Sequence, residues 1–205
     1  AGSVTSATGA AGKGGEIQVL GEQVGLLGNA AIDASGATGG GTVLLGGDYQ
    51  GKNAAVQNAR QVLVGKDASV NADAIVSGNG GKVIAWGNES AQVHGSISAR
   101  GGAQGGDGGF VETSGHSLAV DGIRVNTSAA RGKRGNWLLD PYDITVVAGS
   151  DGGLSDVDQF ADAPSTGNTN LGADLISGAS SNVTLQATHR INFNSAINIT
   201  QQGVG

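Results

Sequence analysis

"GGEIQVLG" (Gly14–Gly21), "GGTVLLGG" (Gly40–Gly47), "GGKVIAWG" (Gly80–Gly87) and "GGFVETSG" (Gly108–Gly115) are four versions of one phrase, a glycine pair running into a short apolar strand. "RGNWLLD" (Arg134–Asp140) reads as a fifth with one glycine lost. The first apolar positions expected to be buried are Ile17, Val43, Val83, Val111 and Leu138, at intervals of 26, 40, 28 and 27 residues. The long interval holds "GDYQGKNAAVQNARQVLVG", which reads as an insertion. A second phase lies inside each unit. "GNAAIDASG", "GSISARG" and "GIRVNTSAARG" place Ile32, Ile97 and Val125 at matching points, and "DASVNADA" is the corresponding piece after the insertion. Each unit therefore carries about three strands of three to six residues, with Gly, Asn, Asp and Ser at the joints.

Such strands are too short and too closely spaced for helical crossovers. They also lack the length and aromatic bulk of a β-sandwich. The period predicts an all-β fold, a parallel β-helix (β-solenoid) with three short strands per coil. Glycine is expected at corners, where φ is positive. Alternation sends Ile, Val, Leu and Ala inward and Gln, Glu, Thr, Ser and Arg outward. Residues 1–13 read as a flexible lead-in and 14–147 as regular coils with an insertion at 48–59. Residues 148–181 read as a polar loop excursion in which "LGADLISGAS" holds a short helical turn. Residues 182–205 read as one or two terminal coils.

Composition narrows the function. Glycine accounts for 39 of 205 residues, against about 7% in ordinary domains. Yet 38% of the chain is hydrophobic and falls in alternating runs, which argues against disorder. A formal net charge of -6 disfavours nucleic acid and anionic membrane as partners. No run approaches the roughly 18 apolar residues of a membrane span. Without cysteine there is neither a disulfide framework nor a thiolate metal site. The chain opens on Ala1 with no basic or hydrophobic leader, so no signal peptide is expected, and the absence of Met suggests a processed or excised chain.

"GNWLLDPYDITV" (135–146) ends the glycine rhythm. Trp137 and Leu139 alternate with Leu138, so a strand with one bulky, buried face is expected there, with Trp137 inside. Pro141 cannot donate to a ladder and belongs at a corner. The ordered series "AAIDASGATGGGTVLLGGDYQG", "ADAIVSGNGGKVIAWGNES", "GSISARGGAQGGDGGFVETSG" and "GNWLLDPYDITV" resembles the repeats of filamentous-haemagglutinin-like large exoproteins of bacterial two-partner secretion. The resemblance runs from about Gly14 to Thr200. It implies a right-handed parallel β-helix, secretion across the outer membrane and adhesion. It also implies two partners: an outer-membrane transporter, and a host-cell glycan, host protein or matrix polysaccharide. Those exoproteins begin with a secretion domain bearing Asn-Pro-Asn motifs. Pro141 follows Asp140 and Pro164 follows Ala163, so an internal or C-terminal fragment lacking that domain is expected.

Motifs that could carry chemistry are sparse. "GGDGGF" (Gly105–Phe110) is half of a calcium-binding nonapeptide in a single copy, and a plain glycine corner is the preferred reading. His94, His116 and His189 are isolated and read as surface or wall residues. Asp156, Asp158 and Asp162 have no basic residue nearby and read as a solvated loop. Arg131, Lys133 and Arg134 form the densest basic patch and a candidate ligand contact. Asn88, Asn126, Asn182 and Asn198 head Asn-x-Ser/Thr sequons and are candidate glycosylation sites, as in some adhesins this chain resembles. No cofactor or metal is expected, and no catalytic set stands out. The leading expectation is a non-catalytic stalk or display segment of a secreted adhesin. The rivals are a carbohydrate-active β-helix enzyme and a protein that captures haem or iron from a host carrier. Cutting such a rod leaves unpaired coils, so end-to-end self-association is expected, more so on removal of Gln201–Gly205.

Overall fold

The computed structural model describes residues 3–149, 159–164 and 166–199. Asp156, Asp158 and Gln201–Gly205 lie outside the described residues.

The fold is all-β, and among the described residues every strand pairing is parallel. After β1 (Val4–Ser6), one repeat supplies β2 (Glu16–Val19), β3 (Gln23–Leu26) and β4 (Ala31–Asp33). The next supplies β5 (Thr42–Leu45), β6 (Ala59–Val64) and β7 (Ser69–Asn71). Then come β8 (Lys82–Val93) with β9 (Ser96–Ser98), β10 (Phe110–Ala119) with β11 (Arg124–Asn126), and β12 (Asn136–Asp140) with β13 (Asp143–Val147). The last elements are β14 (Asn168–Gly172), α1 (Ala173–Ser177), β15 (Asn182–Leu185) and β16 (Arg190–Phe193).

Each strand pairs with its counterpart one repeat away. One sheet runs β1-β4-β7-β9-β11. The main sheet runs β15-β12-β10-β8-β5-β2, with β6 alongside the second half of β8 and β3 alongside β6. The third runs β14-β13-β16. The registers follow the sequence period. Ile17, Val43, Val83 and Val111 form one inward row, and Ile32, Val70, Ile97 and Val125 form another. The fifth unit departs by one residue: Val111 lies opposite Trp137, not Leu138. Gly135 is the surviving glycine of the pair, so the whole unit is counted from it.

Several expectations change. The lead-in 1–13 contains a strand, because β4 has an open backbone edge and Val4–Ser6 fill it. Two units do not have three separate short strands. β8 spans 12 residues and β10 spans 10, each bending at an irregularity in register rather than breaking. The insertion ends where β6 begins, since Gln61–Val64 pair with both β3 and β8. The excursion 148–181 contains β14, which pairs with β13 along its length and buries Thr169 and Leu171. α1 follows in "LGADLISGAS" as expected.

Glycine acts less through positive φ than the corner argument supposes. Gly41, Gly81, Gly109 and Gly135 stand in a column without positive φ. A Cβ on Gly81 would lie 2.0 Å from the Gly41 carbonyl oxygen, and one on Gly135 equally close to that of Gly109. These glycines let adjacent backbones stack. Positive φ occurs elsewhere, as at Gly28, Gly78 and Gly122.

The centre of the main sheet is buried on both faces. Its inner rows join the core, with Trp137 only 1% exposed and its Nε1–H donating to Thr113 Oγ1 at 3.1 Å. Its outer row is Leu44, Ile84, Glu112 and Leu138 in register, and all four are buried. The triplets Val43–Leu45, Val83–Ala85 and Trp137–Leu139 are unbroken apolar runs for this reason. Burying each Leu or Ile of that row contributes about 1.5–3 kcal/mol. Two excursions provide the cover. Residues 48–58 fold over the row holding Glu112, and residues 159–164 fold over the second half of the sheet. There Phe160 packs on Gly25, and Leu63 and Gln92 are fully buried.

Candidate functional site

The densest polar chemistry lies beneath the 48–58 turn. Asp48 caps a short 3-10 turn, Tyr49–Gly51, by accepting the Tyr49 N–H at 2.8 Å. Gln50 is held at φ 53, the one described non-glycine residue with positive φ. Such a conformation is strained, and here it aims the backbone inward. The Gln50 N–H donates to Glu112 Oε1 at 3.0 Å and its Nε2 donates to Asp140 Oδ2 at 2.9 Å. Lys52 Nζ donates to Gln50 Oε1 at 2.7 Å. Outside this ring, Lys82 Nζ and Asn53 Nδ2 hold the Asp48 carboxylate at 2.8 and 2.9 Å. Tyr49 closes the turn edge-on against Phe110, ring centroids 5.8 Å apart.

The three carboxyls differ by environment. Burial pushes Glu112 up to about 7, and the nearby Asp140 and Asp48 charges add to the rise against the Gln50 N–H bond. Burial also raises Asp140, against hydrogen bonding from Gln50. For Asp48 burial is outweighed by the hydrogen bonds of Lys82, Asn53 and the Tyr49 N–H, and the carboxyl falls to about 2. An acid near neutrality beside a second carboxyl is a pattern that hydrolases use. Here Glu112 has no solvent exposure, and Gln50 occupies the space before both carboxyls. The cluster fastens the turn to the sheet.

This makes a test. A carboxyl raised from 4.5 to about 7 favours the protonated folded state, so its contribution is present below about pH 4.5 and declines until about pH 7. Glu112→Gln is expected to be more stable than wild type by about 3 kcal/mol at about pH 8 and equal to it at about pH 4. Asp48 stays ionised across this range. Urea denaturation of both proteins at the two pH values measures the difference. A penalty from the substitution that is equal at both would show that folding leaves the Glu112 pKa unshifted.

The residues singled out in the sequence are not brought together. Arg131 and Lys133 are exposed on one corner, and Arg134 is half-buried beside them. The Lys133 N–H donates to Asp107 Oδ1 at 2.8 Å, so the basic corner is tied to the "GGDGGF" corner of the preceding repeat. Asp162 is exposed and accepts the Gln159 N–H at 3.0 Å. Among the described residues no group of three His, Asp or Glu side chains is placed to hold a metal. Asn88 and Asn198 are exposed, Asn126 and Asn182 half-buried. Ser90, the sequon hydroxyl of Asn88, is buried, so that sequon is presented only in part by the folded chain, whereas Ser128, the sequon hydroxyl of Asn126, is half-buried.

Of the histidines read as surface or wall residues, His116 and His189 are exposed and only His94 departs. His94 is fully buried, with Nδ1 2.9 Å from the Asp121 carbonyl oxygen. His116 and His189 lie either side of Tyr142, at centroid distances of 4.8 and 5.3 Å. Asp73 was also unforeseen as a buried acid. It accepts from Ser98 Oγ at 2.6 Å and from Arg100 Nη2 at 2.7 Å. The outward placement expected for Gln and Glu fails at Gln92 and Glu112 because the two excursions cover them. The unbroken apolar triplets were the available signal.

The chain is similar to the HMW1 secretion domain from Haemophilus influenzae. That crystal structure matches with a TM-score of 0.57 and 36% sequence identity, over 68% of this chain and 36% of that one. The chain therefore spans little more than a third of the length of the structure it matches. No family model and no curated protein matches it. Among the described residues no helix is long and apolar enough to cross a membrane.

Proposed function

We propose that this chain is a right-handed parallel β-helical part of a bacterial exoprotein exported by two-partner secretion, and that it belongs to the secretion region itself. The observation that carries this is the likeness to the HMW1 secretion domain at 36% identity. It agrees with the four ordered motifs and with parallel pairing from repeat to repeat. The handedness follows from the preference of parallel crossovers. The expectation that a secretion domain is missing receives no support, because the matched structure is itself a secretion domain.

In this reading the molecule is non-catalytic and secreted to the medium or cell surface. Its first partner is an outer-membrane transporter, and the exoprotein it belongs to serves adhesion or display. The open edges at β1 and β16 are where copies associate end to end. The test is export. The chain is expressed behind a cleavable signal peptide in a Gram-negative host, with and without the transporter. Release into the medium only with the transporter is expected. Retention in the periplasm in both cases would overturn the reading.

A further inference from the structure

The strap at 159–164 leaves a groove along its margin of about 400 Å³, within the size range of small-molecule sites. Its floor is set by register. Gln61, Ser90 and Ser117 lie side by side on β6, β8 and β10, on the outer face, while Val62, Ala91 and Leu118 between them face the core. Ser117 Oγ donates to the Thr166 carbonyl at 2.8 Å, and Gln61 Oε1 accepts from Gln23 Nε2 at 2.7 Å. Ser90 differs. It is 3% exposed, lines the groove, and its hydroxyl has no hydrogen-bond partner among the described residues. A buried hydroxyl left unpaired costs about 1–3 kcal/mol, which a ligand hydroxyl would relieve.

The walls differ in chemistry. On the sheet side stand Asn88, Glu89 and His116, and on the strap side Phe160 and Pro164. The residues lining the groove include neither Lys nor Arg. The nearby Arg60 is engaged by Glu89 at 2.9 Å and Glu22 at 3.5 Å. An anionic ligand would find no Lys or Arg in the lining to receive it, since the Arg60 charge is already shared between Glu89 and Glu22. An extended peptide would need an open strand edge, and β6, β8 and β10 already pair with one another through this region. What fits is a ligand with an apolar face for Phe160 and Pro164 and a hydroxyl-bearing edge for Ser90, Asn88 and Glu89.

We propose that this groove binds a neutral saccharide, one pyranose ring resting on Phe160 with its hydroxyls toward Ser90 and Glu89. Sugar binding here does not depend on export, so either can fail alone. The test titrates the full chain with glucose, galactose, mannose and N-acetylglucosamine, and with sialic acid as the anionic comparison, followed by amide chemical shifts. At least one neutral sugar is expected to shift the Ser90, Ser117 and Phe160 amides at millimolar concentration, with sialic acid without effect. Phe160→Ala is expected to weaken that sugar about tenfold and Ser90→Ala about threefold or more. Arg124→Ala, on another sheet, leaves it unchanged. Absence of shifts with every neutral sugar overturns the proposal, as does undiminished binding by Ser90→Ala, which removes one buried hydroxyl and leaves the strap intact.

Discussion

Gly109→Ala is expected to destroy the cooperative fold, with a loss of more than about 4 kcal/mol. A Cβ at this position would lie 2.0 Å from the carbonyl oxygen of Gly81 and 2.6 Å from the carbonyl carbon of Gly80. Both are backbone atoms of the adjacent repeat, and neither can swing aside as a side chain would. They are fixed in turn, since the Gly81 carbonyl accepts the Phe110 N–H at 2.9 Å and Gly81 stacks on Gly41 below. Parallel strands cannot separate beyond about 4.9 Å and keep their ladder. The loss would consume much of the roughly 5–15 kcal/mol that holds a domain together. Gly12→Ala is the control, because a Cβ there meets nothing within 4 Å and φ is not positive. It should shift stability by no more than about 1 kcal/mol. Denaturant titration of both variants decides the matter. A Gly109→Ala protein with the wild-type midpoint would mean that the repeats are not stacked as described.

Trp137→Ala should cost about 3–5 kcal/mol. The side chain is the largest in the core and lies where Val111 of the previous repeat and Val183 of the next are its ladder neighbours. Truncation leaves a cavity between stacked strands whose glycines already bring the backbones close, so the walls have little room to collapse. It also strands the Thr113 hydroxyl, which accepts the indole N–H. Trp137→Phe separates the two effects: most of the volume stays and only the hydrogen bond goes, for a loss of about 1–2 kcal/mol. Equal losses for the two variants would show that the cavity is not the main term.

Glycine pairs gave the unit and apolar alternation gave the inner rows, and Ile17, Val43, Val83 and Val111 are in the register their spacing implies. Arg134 stands where the first glycine of the pair would, so the count from Gly135 to Trp137 matches that from Gly109 to Val111, and pairing places Trp137 rather than Leu138 in the row. His94, Gln92 and Glu112 were read as outward or wall positions, since alternation reports only which side of the strand a residue takes. It does not report whether that side meets water.

What the sequence determined alone is therefore the repeat and its inward face. Both are local: a glycine where backbones must touch, and an apolar residue at every second position between turns. Tertiary structure alone decided the fate of the outward faces. Residues 48–58 bury Glu112 and raise its pKa to about 7, and residues 159–164 leave Ser90 at the floor of a groove. These contacts join Gln50 to Glu112, 62 positions apart, and Gln92 to Gln159, 67 apart. No period in the chain spans such distances, because each excursion occurs once and is held by what it covers rather than by its own pattern.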